Sequence, residues 1–351
     1  MVFVQAKTYQ ATLVSIGIGF LVGGLVILAS GFNPLVSIGT MLRGGFGNFN
    51  ALSVTLTRAI PIAFAGIAAA LAWGSGYPSL GAAGQMTLGA LATAVVAIVF
   101  PGPAIVRLIA AVVAGMLVGM SYSLISAFVS YQFKINLLIV TLMMNYIANN
   151  TTSYFTQYVY RDPQAVDSSV IQTQRIQESI LPVMFNGYTL HYGVVILLIT
   201  VIGIWFIGSK TIFGYRAKMG GLNSNFARFG GINSKVMMLL VLALSGSIAG
   251  LGGAVQVLGT SYRYVDGMIS SPGFAWSGVI ASLMANNHPI GIFVSSIFLA
   301  GLTTGGGLME RSVGVPSEVT AIIQSIITLI ITAKFLMKWK RKQKVVSEDV
   351  S

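Results

Sequence analysis

The sequence predicts an all-α, polytopic membrane protein of about ten transmembrane helices, and three observations predict it. Apolar residues fill 55% of the 351 positions and charged residues only 8%, against about 25% charged in a soluble domain. Such a chain cannot cover a water-facing surface, so the bilayer is its main solvent. Apolar runs near the roughly 20 residues that a span needs recur along the whole length. The lysines fall at Lys7, Lys134, Lys210, Lys218, Lys235 and in the tail from Lys334 to Lys344. All can be placed on one side of a membrane, as expected of residues that cross it poorly and gather in cytoplasmic loops.

Taken in order, the candidate spans are residues 11–30, 58–73, 84–100, 103–130, 135–157, 188–207, 236–259, 274–287, 289–308 and 318–337. The first follows Lys7 and precedes Ala29-Ser30, which has the outline of a signal peptide. Its apolar run from Ala11 to Leu28 exceeds the usual core of about 7–15 residues, so it is expected to remain as a span. An even number of spans puts both termini on one side. The tail Lys338-Trp339-Lys340-Arg341-Lys342 makes that side cytoplasmic, with Trp339 at the interface. Cytoplasmic segments then hold 13 Lys and Arg against Glu348 and Asp349, and exterior segments hold seven Arg against six acids. Positive-inside bias thus accounts for the net charge of +12, and no nucleic-acid partner is needed to explain it.

The chain is a single transmembrane domain, 1–351, with an exterior loop at 158–187, a basic, glycine-rich cytoplasmic loop at 208–235 and a basic tail at 338–351. The exterior loop carries Arg161, Asp162, Asp167, Arg175 and Glu178. It suits either a cover over an entrance or a solvated connector. In the cytoplasmic loop, Asn223 or Ser224 can cap a short helix over 224–229 that Gly230-Gly231 would end.

Two spans are interrupted. Residues 58–73 precede Gly74-Ser-Gly-Tyr-Pro-Ser-Leu-Gly-Ala-Ala-Gly84, and the span ending near Gly259 precedes Ser270-Ser-Pro-Gly-Phe-Ala-Trp-Ser-Gly278. The blocks 58–157 and 236–337 each hold four spans and start on opposite sides, as inverted repeats would. Broken helices at matching positions of such repeats point to a transport pathway; glycine is also simply common in membrane helices. Gly115/Gly119, Gly246/Gly250 and Gly301/Gly305 have the four-residue spacing that brings helix backbones close.

Little chemistry is visible. The chain has no cysteine, which excludes disulfides, thiolate metal sites and a lipoprotein anchor. His191 and His288 lie far apart at helix ends, and Glu318 alone among the acids touches the edge of an apolar segment. An ion-coupled carrier usually keeps a carboxylate inside the membrane. Gly203–Thr211 imitates a phosphate-binding loop but has one residue too many before Lys210, and it ends an apolar helix rather than joining strand to helix. No metal site, catalytic set or ATP site is expected.

Three stretches carry a resemblance. Thr57–Ala72 with Ser79–Leu91, then Phe133–Ala148, then 213–301 with Phe213-Gly-Tyr-Arg, Ala227-Arg-Phe-Gly-Gly-Ile-Asn and Asn287-His-Pro-Ile-Gly, resemble permeases of ATP-binding-cassette (ABC) importers in the branched-chain amino acid, ribose and nucleoside superfamily. Within it the chain is most similar to the longer permease of nucleoside importers that use a basic membrane lipoprotein as receptor. The resemblance implies a non-enzymatic subunit of a bacterial plasma (inner) membrane, binding no cofactor of its own. Its partners would be separate ATPases that bind the ATP, a second and shorter permease, an exterior substrate-binding lipoprotein and membrane lipids. It implies a substrate pathway at Tyr77, Ser79, Gln85, Asn145, Trp276 and Ser277, and ATPase coupling at Arg216, Asn223, Ala227, Arg228, Gly230 and Gly231. The family usually reads Asn-Ile-Gly-x-Glu-Gly-Gln where this chain has Ser79–Gln85, and has acids where this chain has Leu137 and Ser277. A simple sugar such as ribose is the alternative substrate. Other classes are an ion-coupled carrier, a channel or structural subunit and, least of all, an intramembrane enzyme.

Overall fold

The computed structural model describes residues 2–165, 169–222, 227, 229–316, 318–326 and 329–330. Asp167, Asn223, Ser224, Arg228 and the tail with Trp339 lie outside them. The helices are α1 (Val2–Ala29), α2 (Pro34–Phe46), α3 (Phe49–Gly74), α4 (Ala82–Val99), α5 (Ala104–Phe133), α6 (Leu137–Tyr158), α7 (Gly193–Lys210), α8 (Ile212–Leu222), α9 (Ser234–Gln256), α10 (Phe274–Met284) and α11 (Pro289–Val313). A further helical stretch covers 318–326. Each predicted span meets a helix. Among the described residues six are long and apolar enough to cross a membrane: α3, α4, α5, α7, α9 with its extension to Ser261, and α11. Ile16–Ala29 and Phe274–Met284 are shorter apolar helices.

The start of the second span is corrected: α3 begins at Phe49, not residue 58, and is an unshortened helix of 26 residues. Polar residues concealed its first turns. Asn48 caps it by accepting from Ala51 N at 2.7 Å, Thr55 donates to Gly45 O and Thr57 to Ser53 O. These hydroxyls satisfy themselves on nearby backbone, so the helix can carry them into the interior. Before it, α2 has 13 residues, too few to span, and is set by Asn33, which accepts from Leu35 N and Val36 N ahead of Pro34.

α3 and α9 are the central helices. Every residue from Ala59 to Ala70 and from Ile248 to Gly259 is buried. They cross where Ser245 Oγ donates to Ala68 O at 2.8 Å. Each then packs on the other half of the chain: α9 against α4 and α5, α3 against α10 and α11.

Glycine makes these approaches possible. A Cβ on Gly119 would meet Gly246 O and lie 2.8 Å from Gly250 Cα, and one on Gly250 would meet Gly115 O. Two of the small-residue pairs found in the sequence therefore pack on each other, joining α5 to α9. The third packs on α2, where Gly305 meets Met41 O and Gly301 meets Phe46.

The connections gather at two ends. Residues 75–81 meet α8 and the start of α9 at one: Tyr77 Oη donates to Ser234 O at 3.1 Å. At the other, Ser179 Oγ donates to Ala97 O at 3.3 Å and Leu190 N to Ser53 Oγ at 3.0 Å. The first carries Lys210, Lys218 and Lys235; the second carries Arg107 paired with Glu178 at 3.8 Å.

Candidate functional site

The break after α3 is short and tightly held. Gly76 takes φ +75°, which glycine adopts without strain. Trp73 Nε1 donates to Ser79 O at 2.9 Å, and Gly81 N donates to Ser79 Oγ at 3.2 Å. From α6, Thr141 Oγ1 accepts Leu80 N at 3.1 Å. Asn145 uses both ends of its amide here, Nδ2 donating to Leu80 O at 2.8 Å and Oδ1 accepting from Gly84 N at 2.9 Å. Ser79, Gln85 and Asn145 are thus brought together, all buried.

The break after α9 uses the same helix. α9 ends in a π-turn, Val257–Ser261, closed by Tyr262 in the left-handed region. The chain then crosses to α6, where Ser270 Oγ donates to Asn149 Oδ1 at 2.9 Å and Ser153 Oγ donates to both Asp266 carboxylate oxygens at 2.7 and 2.9 Å. Thr141, Asn145, Asn149 and Ser153 recur every fourth residue and so form one line along the helix. α10 starts at Phe274, after Gly273 at φ +68°. Ser277 is half-buried there and Trp276 is 53% exposed.

At the lysine end, α8 is keyed into the first break. A Cβ on Gly76 would meet Gly221 Cα, and one on Gly221 would lie 2.6 Å from Gly76 N. Ala217 packs with Met237, Val241 and Tyr77. Beyond, Ala227 is buried, Gly231 takes φ +74°, and Ile232 N donates to Ala227 O at 2.9 Å. This is the glycine helix end expected at Gly230-Gly231. Arg216, Gly230 and Gly231 are exposed, as is Phe229, at 93%.

At the opposite end, residues 173–181 of the long loop run against the segment that ends α9. Thr173 N donates to Tyr264 O, Ile176 N to Tyr262 O and Leu181 N to Leu258 O. His191 locks it: Gly193 N donates to Nδ1 at 3.1 Å, and Nε2 faces Thr260 Oγ1 at 3.3 Å. The ring fills the space that a Cβ on Gly259 or Gly193 would need. Burial holds its pKa down at about 4, so it is neutral at pH 7.

Residues 51–332 match the family described as "Branched-chain amino acid transport system / permease component". The chain belongs to this permease family. Among curated relatives, the permease is 29% identical to the "Guanosine ABC transporter permease protein NupP" of Bacillus subtilis, over 93% of its own length and 94% of the relative's. It is 26% identical to the "Nucleoside ABC transporter permease protein NupB" of Lactococcus lactis, over 95% and 93%. It is 27% identical to the "Glucose ABC transporter permease protein TsgB13" of Haloferax volcanii, over 91% and 86%. Both bacteria have a second permease protein of the same named system that also matches.

Within the permease, the sequence-derived pathway residues fall into three places. Ser79, Gln85 and Asn145 form one cluster, Tyr77 packs at the lysine end against Ala217, Met237 and Val241, and Trp276 with Ser277 begins α10. Of the coupling candidates, Arg216, Ala227, Gly230 and Gly231 are described, whereas Asn223 and Arg228 lie outside the described residues. Thr141, Asn149, Ser153 and Phe229 escaped the sequence reading. The first three were signalled by polar residues every four positions in α6, which has no charged side chain.

Proposed function

We propose that this permease forms the translocation pathway of an ABC importer for nucleosides, purine nucleosides in particular. The observation that carries this reading is end-to-end similarity to relatives named for guanosine and nucleosides. The neutral, hydrogen-bonding character of the first break agrees with it, since a nucleoside needs stacking and hydrogen bonds rather than a counter-charge. The paired relatives support a second, shorter permease as partner. Separate ATPases bind the ATP and dock on the exposed surface around Arg216, Phe229 and Gly230-Gly231. An exterior lipoprotein delivers substrate to the end opposite the lysines, and the lysine end with both termini is cytoplasmic. Closure of the ATPases moves α8, and Gly221 against Gly76 transmits the movement to the first break as a rigid-body switch.

A simple sugar is the second reading, favoured by the glucose-named relative. Uptake by the assembled complex in proteoliposomes decides between them. Guanosine accumulation that requires ATP supports the proposal. Accumulation of glucose or ribose in its place overturns the substrate, and uptake by the lone chain on an ion gradient overturns the ABC assignment.

A further inference from the structure

α6 has the length of a membrane span, 22 residues, and no Asp, Glu, Lys or Arg. It is nevertheless missing from the helices apolar enough to cross. One face accounts for part of this polarity, because Thr141, Asn145, Asn149 and Ser153 point inward and are satisfied by the two breaks. A second polar line follows it residue by residue, about 100° further round the helix, whereas the face opposite the inward line is apolar, with Met143 55%, Ile147 53% and Phe155 40% exposed. Tyr146 is 66% exposed, Tyr154 57% and Tyr158 69%, and Asn150 is exposed between them. Asn150 Nδ2 donates to Tyr146 O at 3.0 Å, which uses one of its amide hydrogens. The rest of an amide can accept two hydrogen bonds and donate one more. Lipid tails satisfy none of these, and a polar group left so in hydrocarbon costs several kcal/mol. The apolar face of α6 resembles the exposed residues of α7, which include Leu198, Ile199 and Ile202; the polar line beside it does not.

We propose that the outer stripe of α6, Tyr146, Asn150, Tyr154 and Tyr158, is a wall of the aqueous pathway on which the base of the substrate stacks. This rests on the nucleoside reading above and assigns its recognition surface. The chemistry is that of sequence-tolerant base binding: tyrosine rings offer faces to any base, and an Asn amide offers a donor and an acceptor to a base edge. Tyr154 and Tyr158 already lie with ring centroids 5.2 Å apart. From Tyr146 to Tyr158 the helix rises about 18 Å, longer than one nucleoside, so the stripe is a track along which the base is handed on.

The absence of cysteine makes the test clean. Asn150→Cys, Tyr154→Cys and the α7 control Ile199→Cys are placed singly in the assembled complex and treated with a membrane-impermeant methanethiosulfonate, with and without guanosine. We expect rapid labelling at 150 and 154, slowed at least threefold by guanosine, and almost none at 199. Uptake gives the second readout: Tyr154→Ala raises the KM for guanosine about tenfold, Tyr154→Phe restores it, and Tyr154→Leu does not. Cysteines at 150 and 154 as inert as the control, or cross-linked to the second permease, would overturn the inference. So would equal rescue by Leu and Phe, which means packing and not stacking. If the unmodified complex imports sugars and not guanosine, the nucleobase occupant is wrong together with the nucleoside reading; inert cysteines in a complex that does import guanosine condemn the inference alone.

Discussion

Asn145 and Asn149 stand one turn apart on the same face of α6, and each holds a different break: Asn145 holds Leu80 and Gly84, Asn149 holds Ser270. A single helix therefore fixes the spacing between the two irregular segments of the bundle. In family terms Asn145 was a candidate for touching substrate. Its geometry gives it a positioning role, since both ends of its amide hold backbone groups of the first break.

Asn145→Leu should thus act on assembly before transport. It strands the buried Gly84 N–H and Leu80 C=O, at about 1–3 kcal/mol for each unsatisfied group. Asn149→Ala removes one bond to a partly exposed serine and should cost about 1 kcal/mol. Thermal unfolding of the purified complex should rank them in that order. A lower uptake rate at unchanged KM in Asn149→Ala would mark a positioning role.

Gly250→Ala should be severe. The new Cβ runs into Gly115 O on α5, and helix axes that meet through glycine can only part. Overpacking of this kind costs about 1–3 kcal/mol or more. Gly203→Ala, with nothing within 4 Å of its Cβ, should be neutral or slightly stabilising. Yield of monodisperse complex after solubilisation separates the two.

His191 should give the stability of the complex a pH dependence. Its pKa is lowered in the fold, to about 4 from 6.5, because burial disfavours the cation and Gly193 N–H already points at Nδ1. The unfolded chain takes up a proton as pH falls through 6.5 and the fold does not. The contribution is fully present above pH 6.5 and is lost progressively down to about 4, up to about 3 kcal/mol in all. Melting temperature measured from pH 7.5 to 5 should fall more steeply for the native chain than for His191→Gln.

Gly221→Val should uncouple the machine. The side chain would wedge α8 away from Ser75 and Gly76 while leaving the exposed surface at Arg216 and Phe229 in place. ATPase subunits should still co-purify and hydrolyse ATP, while guanosine uptake falls at least tenfold. Phe229→Asp should do the reverse and lose the ATPases. Co-purification, ATP hydrolysis and uptake on the same preparations check both.

Hydropathy and lysine placement made the spans legible, because membrane solvation acts on each segment by itself. The glycine pairs at 115/119 and 246/250 were legible as packing signals, though not as partners of each other. Partnership depends on which helices meet, and that lies in no local pattern. The first turns of α3 and all of α2 were missed because Asn, Ser and Thr there bond to nearby backbone instead of to water. The cluster of Ser79, Gln85 and Asn145 came from family resemblance. That Asn145 fastens a loop, and that Tyr146, Asn150 and Tyr154 face outward, required the helix to be docked.

The exchange of partners between halves bears on biosynthesis. α3 buries most of its length from Ala59 onward chiefly against helices that the ribosome makes roughly 200 residues later, about 10–40 s at ordinary elongation rates. Until α10 and α11 emerge, its small-residue flank around Gly66 has no Gly278 to meet. The nascent first half must wait in the membrane as an unfinished surface, held by lipid or by the insertion machinery. A chain stopped before α9 would leave the buried face of α3 without its main partners.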